Sequence, residues 1–279
     1  MNKYKYICVQ TLIFLGQRLF FIRGSIRNIL IKIIKYIVDY QVSEDPIKSR
    51  IQTSVKGIPF FLYFDGMSDV KQVFGSYNKQ EITFIKKNIT DNSVFIDIGS
   101  NIGFYSQNIA SLFPKVKFSK IVAIEPNPIL IKRHEDNISL LKKKIKGLDN
   151  KIFLENYAIG EFEKDLYLDL NLGYGSARVI ENKIKNSINI KMQPLLDILK
   201  KNQIERIDCL KIDIEGYEDR ALKPFFQNAS KNLYPKHMVL EHTSQSEWED
   251  KNFIKFLLSL GYKKINKTRG NLCLSLKIN

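Results

Sequence analysis

The most informative segment of the chain reads Val94-Phe95-Ile96-Asp97-Ile98-Gly99-Ser100-Asn101-Ile102-Gly103-Phe104-Tyr105-Ser106. A short apolar run ends in an acid, a turn containing glycine follows, and a helical pattern begins. Ligands bind open α/β sheets at the carboxyl ends of the strands, so this turn is expected to face a ligand crevice. Gly99 and Gly103 allow the backbone to turn sharply and a ligand to approach it closely.

The acid in this motif distinguishes between two kinds of cofactor. A carboxylate at Asp97 suits the ammonium group of a methionine moiety and would repel a pyrophosphate. The pattern Asp-x-Gly-x-Asn-x-Gly also differs from the Gly-x-Gly-x-x-Gly fingerprint of dinucleotide-binding proteins. Both features favour S-adenosylmethionine over a nicotinamide cofactor. The cofactor-binding residues predicted here are Asp97, Gly99, Ser100, Asn101, Gly103, Phe104 and Tyr105.

Outward from this motif, short apolar runs alternate with helical patterns. The predicted helices are Asn78 to Asn88, Asn101 to Phe113, Pro128 to Lys144, Tyr217 to Gln227 and Trp248 to Leu260. After a lead-in strand at Ile58 to Phe64, the predicted strands are Val94 to Ile98, Lys120 to Ile124, Ile152 to Tyr157, Asp208 to Ile212, Met238 to Glu241, Tyr262 to Lys267 and Leu272 to Leu276. The last two strands have no helix between them, which predicts a β-hairpin. The pattern therefore predicts an α/β fold with the Rossmann-like, seven-stranded sheet of class I methyltransferases, since a dehydrogenase sheet is normally all parallel.

A second acid ends the next predicted strand, in Ile121-Val122-Ala123-Ile124-Glu125-Pro126-Asn127-Pro128. Glu125 follows the glycine turn by about 20 residues, where an acid that binds ribose hydroxyls is expected. Pro126 and Asn127 belong to the same predicted cofactor site, and proline at the start of a helix fits the following helical pattern. At the exit of the third strand, Asn156 and Ala158 are expected beside the adenine ring.

The segment Leu210-Lys211-Ile212-Asp213-Ile214-Glu215-Gly216-Tyr217-Glu218 predicts a buried strand that delivers two carboxylates to the same crevice. Asp213 and Glu215 alternate, so both can point to one side, and Asp213 is also expected to contact the cofactor. His242 ends the fifth strand, and histidine is the side-chain type best suited to general-base work near neutral pH, so it is the first choice of catalytic base, before Glu215 and Asp213. Mg²⁺ bound by Asp213 with Glu241 or His242 is a less favoured alternative, and no dedicated metal site is predicted.

Taken in order, these motifs resemble those of FkbM-type methyltransferases, over roughly Tyr77 to Leu276. The resemblance rests on the segments Asp97 to Ser106, Glu125 to Asn127, Ala158 to Gly160, Gly173 to Ser176, Ile212 to Glu218 and Glu241-His242. Members of that family transfer a methyl group from S-adenosylmethionine to hydroxyls, commonly on sugars or polyketide-like products, and many bacterial members lie in surface-glycan gene clusters. The resemblance therefore implies an O-methyltransferase that acts on a sugar, a glycan or a related small molecule. Family members more often have two serines where this chain has Ser176-Ala177.

The N-terminal segment lies outside this resemblance. Its apolar stretch from Tyr6 to Gly16 is too short to span a bilayer, which takes about 20 residues, and no small-residue cleavage site follows it. A second stretch predicts a basic amphipathic helix that packs on protein or lies on a membrane surface, because its apolar positions recur at helical spacing, at Leu30, Ile33, Ile34, Ile37 and Val38. The predicted organisation is an extension over 1–42, a polar linker (Ser43 to Ser54) and lead-in strand over 43–76, and a methyltransferase domain over 77–279.

Bulk composition narrows the alternatives. The 279 residues include 44 Lys+Arg and 29 Asp+Glu, a net charge of +15 that is spread along the chain and indicates a lysine-rich solvated surface. A nucleic-acid methyltransferase is the second hypothesis, although no Asn-Pro-Pro-Tyr or Pro-Cys motif and no appended RNA-binding module is found. A membrane-peripheral protein without chemistry is the third, and Asp97 with Glu125 argues against it. Cys8, Cys209 and Cys273 show no metal-binding or disulfide pattern, which favours the cytoplasm, with peripheral membrane contact left open.

Overall fold

The computed structural model describes residues 3–18, 29–30, 32–34, 36, 50–63, 78–171 and 173–277. Helix α1 (Lys3–Arg18) is followed by an antiparallel hairpin of strands β1 (Arg50–Val55) and β2 (Ile58–Tyr63). The prediction of a polar linker reaching Ser54 was therefore wrong for residues 50–54. Ile51, Thr53 and Val55 alternate inward although their neighbours are polar, which is the pattern of a half-buried strand. Within the amphipathic helix predicted around Leu30 to Val38, residues 29–30, 32–34 and 36 are helical, and residues 31, 35, 37 and 38 lie outside the described residues.

The remaining elements follow in chain order. The first group is α2 (Lys79–Asn88), β3 (Val94–Ile98), α3 (Phe104–Ala110), β4 (Lys120–Ile124), α4 (Pro128–Lys144) and β5 (Ile152–Glu155). The second group is β6 (Ala158–Gly160), β7 (Lys164–Asp169), β8 (Arg178–Ile180), β9 (Ser187–Pro194) and α5 (Leu195–Lys201). The last group is β10 (Cys209–Ile212), α6 (Glu218–Asn228), β11 (His237–Glu241), α7 (Phe253–Ser259), β12 (Tyr262–Lys267) and β13 (Asn271–Leu276).

Seven strands form the central sheet in the order β12-β13-β11-β10-β3-β4-β5. The five strands from β11 to β5 are parallel, and β13 runs antiparallel to both β11 and β12. This arrangement confirms the predicted class I methyltransferase sheet with its closing hairpin. The chain enters the sheet at β3, which lies between β4 and β10, so the strand order reverses there and opens a crevice at the carboxyl ends of these strands.

Both faces of the central sheet are covered, which explains its continuous apolar runs. Phe95 and Cys209 are opposite each other in register and pack in the core on one face. Ile96 and Leu210, one position further on, pack in the core on the other face. The predicted single strand Ile152 to Tyr157 ends at Glu155, because the chain then leaves this sheet.

A second, four-stranded sheet in the order β6-β9-β7-β8 was not predicted. Two of its strands are only three residues long, and in the middle of β7 and β9 buried apolar residues alternate with more exposed residues. The predicted helix Asn101 to Phe113 is also shorter in the structure, because Asn101 (φ 52°) and Gly103 (φ 89°) have left-handed backbone conformations that a helix does not accept. Within the described parts of the chain, no helix is long and apolar enough to cross a membrane.

Candidate active site

A cavity of about 280 Å³ lies at the carboxyl ends of β3, β4 and β10. The second sheet closes one side of it, through residues that include Leu168, Val179 and Met192. The structure brings together ten of the predicted site residues in the lining: Gly99, Ser100, Asn101, Phe104, Tyr105, Glu125, Pro126, Ala158, Asp213 and Glu215. Five other predicted site residues are not among the described residues that line the cavity: Asp97, Gly103, Asn127, Asn156 and His242.

The Asp97 side chain is completely buried behind the glycine turn, where a direct contact with a methionine ammonium was expected. Its Oδ2 accepts hydrogen bonds from the backbone N–H and the hydroxyl of Ser106, at 3.1 and 2.7 Å. Asp97 therefore fixes the first turn of α3 relative to β3. Burial raises the pKa of Asp97, against the opposing influence of the nearby Lys211 ammonium.

Glu125 directly follows β4 and lines the cavity. One carboxylate oxygen accepts from the N–H of Asn101 at 2.9 Å, and the other from the N–H of Asn127 at 3.0 Å. Burial raises the pKa of Glu125 to about 7, although both N–H groups favour the ionised form. The carboxylate thus joins the glycine turn after β3 to the turn after β4.

Two asparagines outside the cavity lining hold this second turn in place. The Asn127 side chain accepts from the N–H of Ile129 at 3.0 Å and so caps the N-terminus of α4. The Asn156 amide donates to the backbone carbonyls of Glu125 and Pro126, at 2.8 and 2.9 Å. The structure therefore places Asn156 under the Glu125 turn and not at the edge of the cavity, where an adenine contact was expected.

The glycine turn itself is packed too tightly for side chains. A Cβ on Gly99 would lie 1.9 Å from the carbonyl oxygen of Asp213, and one on Gly103 would lie 2.1 Å from the ring of His134. His134 is fully buried on α4, and burial lowers its pKa to about 3, so the ring is neutral. Its Nδ1 lies 3.3 Å from the hydroxyl of Ser100. Sequence reasoning missed His134, which lies in an ordinary helical pattern.

The strongest feature missed in the sequence is Lys211, a buried cation at the base of the cavity. Its ammonium donates to the carbonyl of Gly99 at 2.9 Å and lies 3.9 Å from Asp97 Oδ1 and 3.7 Å from Asp213 Oδ2. Lys211 therefore neutralises two carboxylates and supports the glycine turn from below. The quoted motif contains this lysine, but a lysine in an apolar strand does not reveal its partners.

Asp213 and Glu215 both line the cavity, although the strand ends at Ile212 and strand alternation does not extend to Glu215. Glu215 adopts a left-handed conformation (φ 55°), which is uncommon for a residue with a side chain. The Glu218 carboxylate stabilises this loop by accepting from the N–H of Ile214 at 2.9 Å and from the indole N–H of Trp248 at 2.7 Å. Burial raises the pKa of Glu215, and the adjacent Asp213 carboxylate raises it further.

His242, the predicted first choice of base, is directed toward the closing hairpin. Its backbone N–H donates to the carbonyl of Gly270 at 2.9 Å, and its Nε2 lies 3.3 Å from the carbonyl of Thr268. These hairpin carbonyls account for its placement outside the cavity lining. The neighbouring Glu241 carboxylate accepts from Thr243. In the described ranges, no cluster of three or more His, Cys, Asp or Glu side chains could hold a metal ion.

Three tyrosines complete the cavity wall and were also missed: Tyr157, Tyr174 and Tyr217. The guanidinium carbon of Arg220 lies 3.7 Å from the centre of the Tyr217 ring. The Lys201 ammonium lies over the ring of Tyr157. Tyr174 comes from the Gly173 to Ser176 segment, which had been noted only as part of a resemblance. Aromatic residues in loops of this kind become site residues only when the second sheet folds over the cavity.

The order of the central sheet, its antiparallel closing hairpin and a cavity at the topological switch point define a class I S-adenosylmethionine-dependent methyltransferase fold. A protein-family model described as "Methyltransferase FkbM domain" matches residues 97–264, which is more than half of the chain. The chain belongs to this family.

Several solved structures are similar to the chain. Methyltransferase FkbM from Methylobacillus flagellatus KT is 19% identical, with a TM-score of 0.48, over 68% of this chain and 44% of that one. M. capricolum TrmK in complex with S-adenosyl-homocysteine is 15% identical, with a TM-score of 0.39, over 70% and 66%. An S-adenosylmethionine-dependent O-methyltransferase from Thermotoga maritima is 11% identical, with a TM-score of 0.42, over 72% and 66%. The matched region is less than half of the first of these chains. No curated protein sequence matches the chain.

Proposed function

We propose that this chain is an O-methyltransferase that uses S-adenosylmethionine to methylate a hydroxyl of a sugar, a glycan or a related small molecule. One observation carries the proposal: a single cavity contains Glu125 on one wall and the Asp213 and Glu215 carboxylates on another. The first acid has the position of a ribose ligand, and the other two have the position of groups that orient and deprotonate an acceptor.

The cavity residues fit this cofactor. Each Glu125 oxygen accepts one backbone N–H and retains a lone pair, so the carboxylate can also accept hydrogen bonds from two ribose hydroxyls. The apolar side chains of Ile124, Ala158 and Met192 form a wall that suits a flat aromatic base. The tight packing of Gly99 and Gly103 leaves the turn without side chains that would fill the approach to the cofactor.

When bound, the cofactor supplies a methyl group as an electrophile on a positively charged sulfur. We assign the role of base to Glu215, because it lines the cavity and burial makes its carboxylate a stronger base than an exposed glutamate. The acceptor oxygen forms a bond to the methyl carbon while the carbon–sulfur bond breaks, its electron pair stays on sulfur, and the hydroxyl proton passes to Glu215. The Lys211 ammonium, 3.7 Å from Oδ2 of Asp213, holds that carboxylate in place beside it.

The test is a labelling experiment with the full chain. The protein is incubated with methyl-labelled S-adenosylmethionine and with separate glycan, small-molecule and RNA fractions from its own cells, and labelled species are identified by mass. The proposal expects label in the glycan or small-molecule fraction, and labelling about a hundredfold or more slower with Glu215→Gln. Label confined to RNA would establish a nucleic-acid methyltransferase instead. Failure to bind S-adenosylmethionine in calorimetry would leave a protein with the fold but without its chemistry.

A further inference from the structure

Helix α1 is anchored to the body of the protein by one of its faces. Val9 and Ile13 are completely or almost completely buried, and they belong to the same core as Ile51 and Val55 of β1. The side-chain amide of Gln10 donates to the backbone carbonyl of Gln52 at 2.6 Å. The helix is therefore held on the β1–β2 hairpin, and its opposite face is directed outward.

That outward face is mainly apolar, although the exposed Thr11 also lies on it. Tyr4, Ile7 and Leu15 are 84%, 51% and 43% exposed, and their positions fall on one side of an α-helix. The helical residues that follow repeat the pattern, because Ile29, Ile33 and Tyr36 are 55%, 42% and 87% exposed at spacings of four and three. We call these six residues the N-terminal apolar face. Among described residues beyond 36, large exposed apolar side chains are isolated: Phe162, Ile184, Leu258 and Ile265.

The same part of the sequence is strongly basic. Residues 1–38 contain no acidic residue, since the first is Asp39, and they contain seven cations: Lys3, Lys5, Arg18, Arg23, Arg27, Lys32 and Lys35. Apolar side chains combined with cations and without acids are typical of helices that lie in the interface of an anionic bilayer. A second copy of the chain is a poorer partner, because pairing two such segments would bring like charges together.

We propose that the N-terminal apolar face docks on the surface of a lipid bilayer that contains anionic headgroups. Its apolar side chains enter the boundary between headgroups and acyl chains, and the surrounding Lys and Arg residues bind the headgroup phosphates. This contact holds the protein at the membrane surface without crossing the bilayer. It depends on the N-terminal segment alone and does not require the proposed methyl transfer.

The first test is cosedimentation of the full chain with lipid vesicles. Vesicles of phosphatidylcholine alone are compared with vesicles that contain one quarter phosphatidylglycerol. We expect binding to the anionic vesicles to be at least about tenfold stronger, and to weaken as NaCl is raised, because salt screens the attraction. Equal binding to both vesicles, or binding to neither, would overturn the proposal.

Matched variants distinguish binding through the N-terminal apolar face from nonspecific binding through other exposed apolar residues. The variant Ile7→Glu/Leu15→Glu changes exposed residues only and should weaken vesicle binding at least about tenfold. Phe162→Glu/Ile265→Glu changes residues of similar exposure on the methyltransferase domain and should leave binding unchanged. Circular dichroism melting checks that both variants are folded. Equal losses in the two variants would contradict a specific face.

A charge series gives an independent readout. Replacing Lys3, Lys5, Lys32 and Lys35 with Gln should remove most of the preference for anionic vesicles, since each cation near an anionic surface contributes. The same replacement at the exposed Lys143, Lys146, Lys183 and Lys185 should have little effect. Sedimentation velocity without lipid tests the alternative occupant. A dimer that Ile7→Glu/Leu15→Glu dissociates would show that this face binds a second copy, and would overturn the proposal.

Discussion

The Lys211 ammonium lies 3.9 Å from Oδ1 of Asp97, and both side chains are almost completely buried. Oδ1 of Asp97 accepts no hydrogen bond from the described part of the chain. Among the described residues, the Lys211 ammonium is the one cation paired with this buried carboxylate. The two residues are opposite each other in the register of β10 and β3. The base of the cavity is thus built on a buried charge pair between neighbouring strands.

Lys211→Met should destabilise the protein by about 3 kcal/mol, because it leaves the Asp97 charge buried without a cation. Chemical denaturation measures the loss in the free energy of unfolding. Asp97→Asn in the same chain should recover part of it, since the amide oxygen can still accept from Ser106. Lys223→Met, which breaks a partly exposed pair with Asp250, should cost less than about 1 kcal/mol. Additive losses in the double variant would show that the two charges are not coupled.

Gly103→Ala should be among the most damaging single substitutions in the site. The new Cβ would meet the buried His134 ring at 2.1 Å, and the residue would keep a left-handed conformation (φ 89°). We expect a loss of about 3 kcal/mol or more in the free energy of unfolding, together with loss of cofactor binding. Gly57→Ala is the control, because Gly57 also has a positive φ (83°) and the one described atom within 4 Å of its new Cβ is the flexible end of the Lys144 side chain, at 3.9 Å. That control should cost only about 1 to 2 kcal/mol, and equal losses would contradict a role for the clash.

Some of this site could be predicted because its information is local. The sequence Asp97 to Gly103 encodes a strand, a turn and a helix start in consecutive residues, and Glu125 repeats the pattern one strand later. Lys211 could not be assigned, because its partnership with Asp97 depends on the register of strands more than a hundred residues apart. His134 was missed for the same reason, since only the fold places it against Gly103.

His242 shows the opposite error. His242 directly follows β11, as Asp213 directly follows β10, so sequence reasoning placed both in one crevice. The structure separates them, because the hairpin between β12 and β13 supplies carbonyls that engage His242. A strand end predicts the level of a residue in the sheet, but the direction of its side chain depends on neighbouring loops.

Cofactor affinity should depend on the ionisation of Glu125. Burial raises the pKa of this carboxyl to about 7, and the ionised form is the better acceptor for ribose hydroxyls. The dissociation constant for S-adenosylmethionine should therefore be about tenfold larger at pH 6 than at pH 8, which means weaker binding at pH 6. Glu125→Gln should bind weakly and without this pH dependence, as measured by calorimetry. Glu155→Gln, at the end of β5 but outside the cavity lining, should retain the dependence of the parent chain.

Glu241 should make the protein less stable as the pH rises. Burial raises the pKa of this carboxyl from its ordinary 4.5 to about 8, and the Asp213 and Glu218 carboxylates contribute to the increase. A carboxyl that holds its proton more tightly in the folded state loses stability as the pH rises between these two pKa values, by at most about 1.4 kcal/mol for each pH unit. Glu241→Gln removes this titration. The free energy of unfolding of the variant, measured relative to that of the parent chain, should therefore increase from pH 5 to pH 8.5.

Asp208 provides the control of opposite sign. Burial alone would raise its pKa, but hydrogen bonds from Lys236 and from the N–H of Val94 outweigh burial and lower it. Its contribution to stability is present above the unfolded pKa and is lost as the pH falls toward the folded value. The free energy of unfolding of Asp208→Asn should therefore fall furthest below that of the parent chain near neutral pH. The same direction of change in both variants would contradict the assigned environments.

The choice of base can be tested once an acceptor is identified. Glu215→Gln should lower kcat by about a hundredfold or more while leaving the affinity for S-adenosylmethionine unchanged, because it removes a proton acceptor and not a cofactor contact. Since burial raises the pKa of Glu215, the rising limb of the pH–rate profile should lie above the ordinary titration range of a glutamate and disappear in the variant. His242→Gln should keep kcat within about twofold of the parent, because the ring is directed toward the hairpin carbonyl of Thr268. A large loss with His242→Gln and a small one with Glu215→Gln would reverse the assignment.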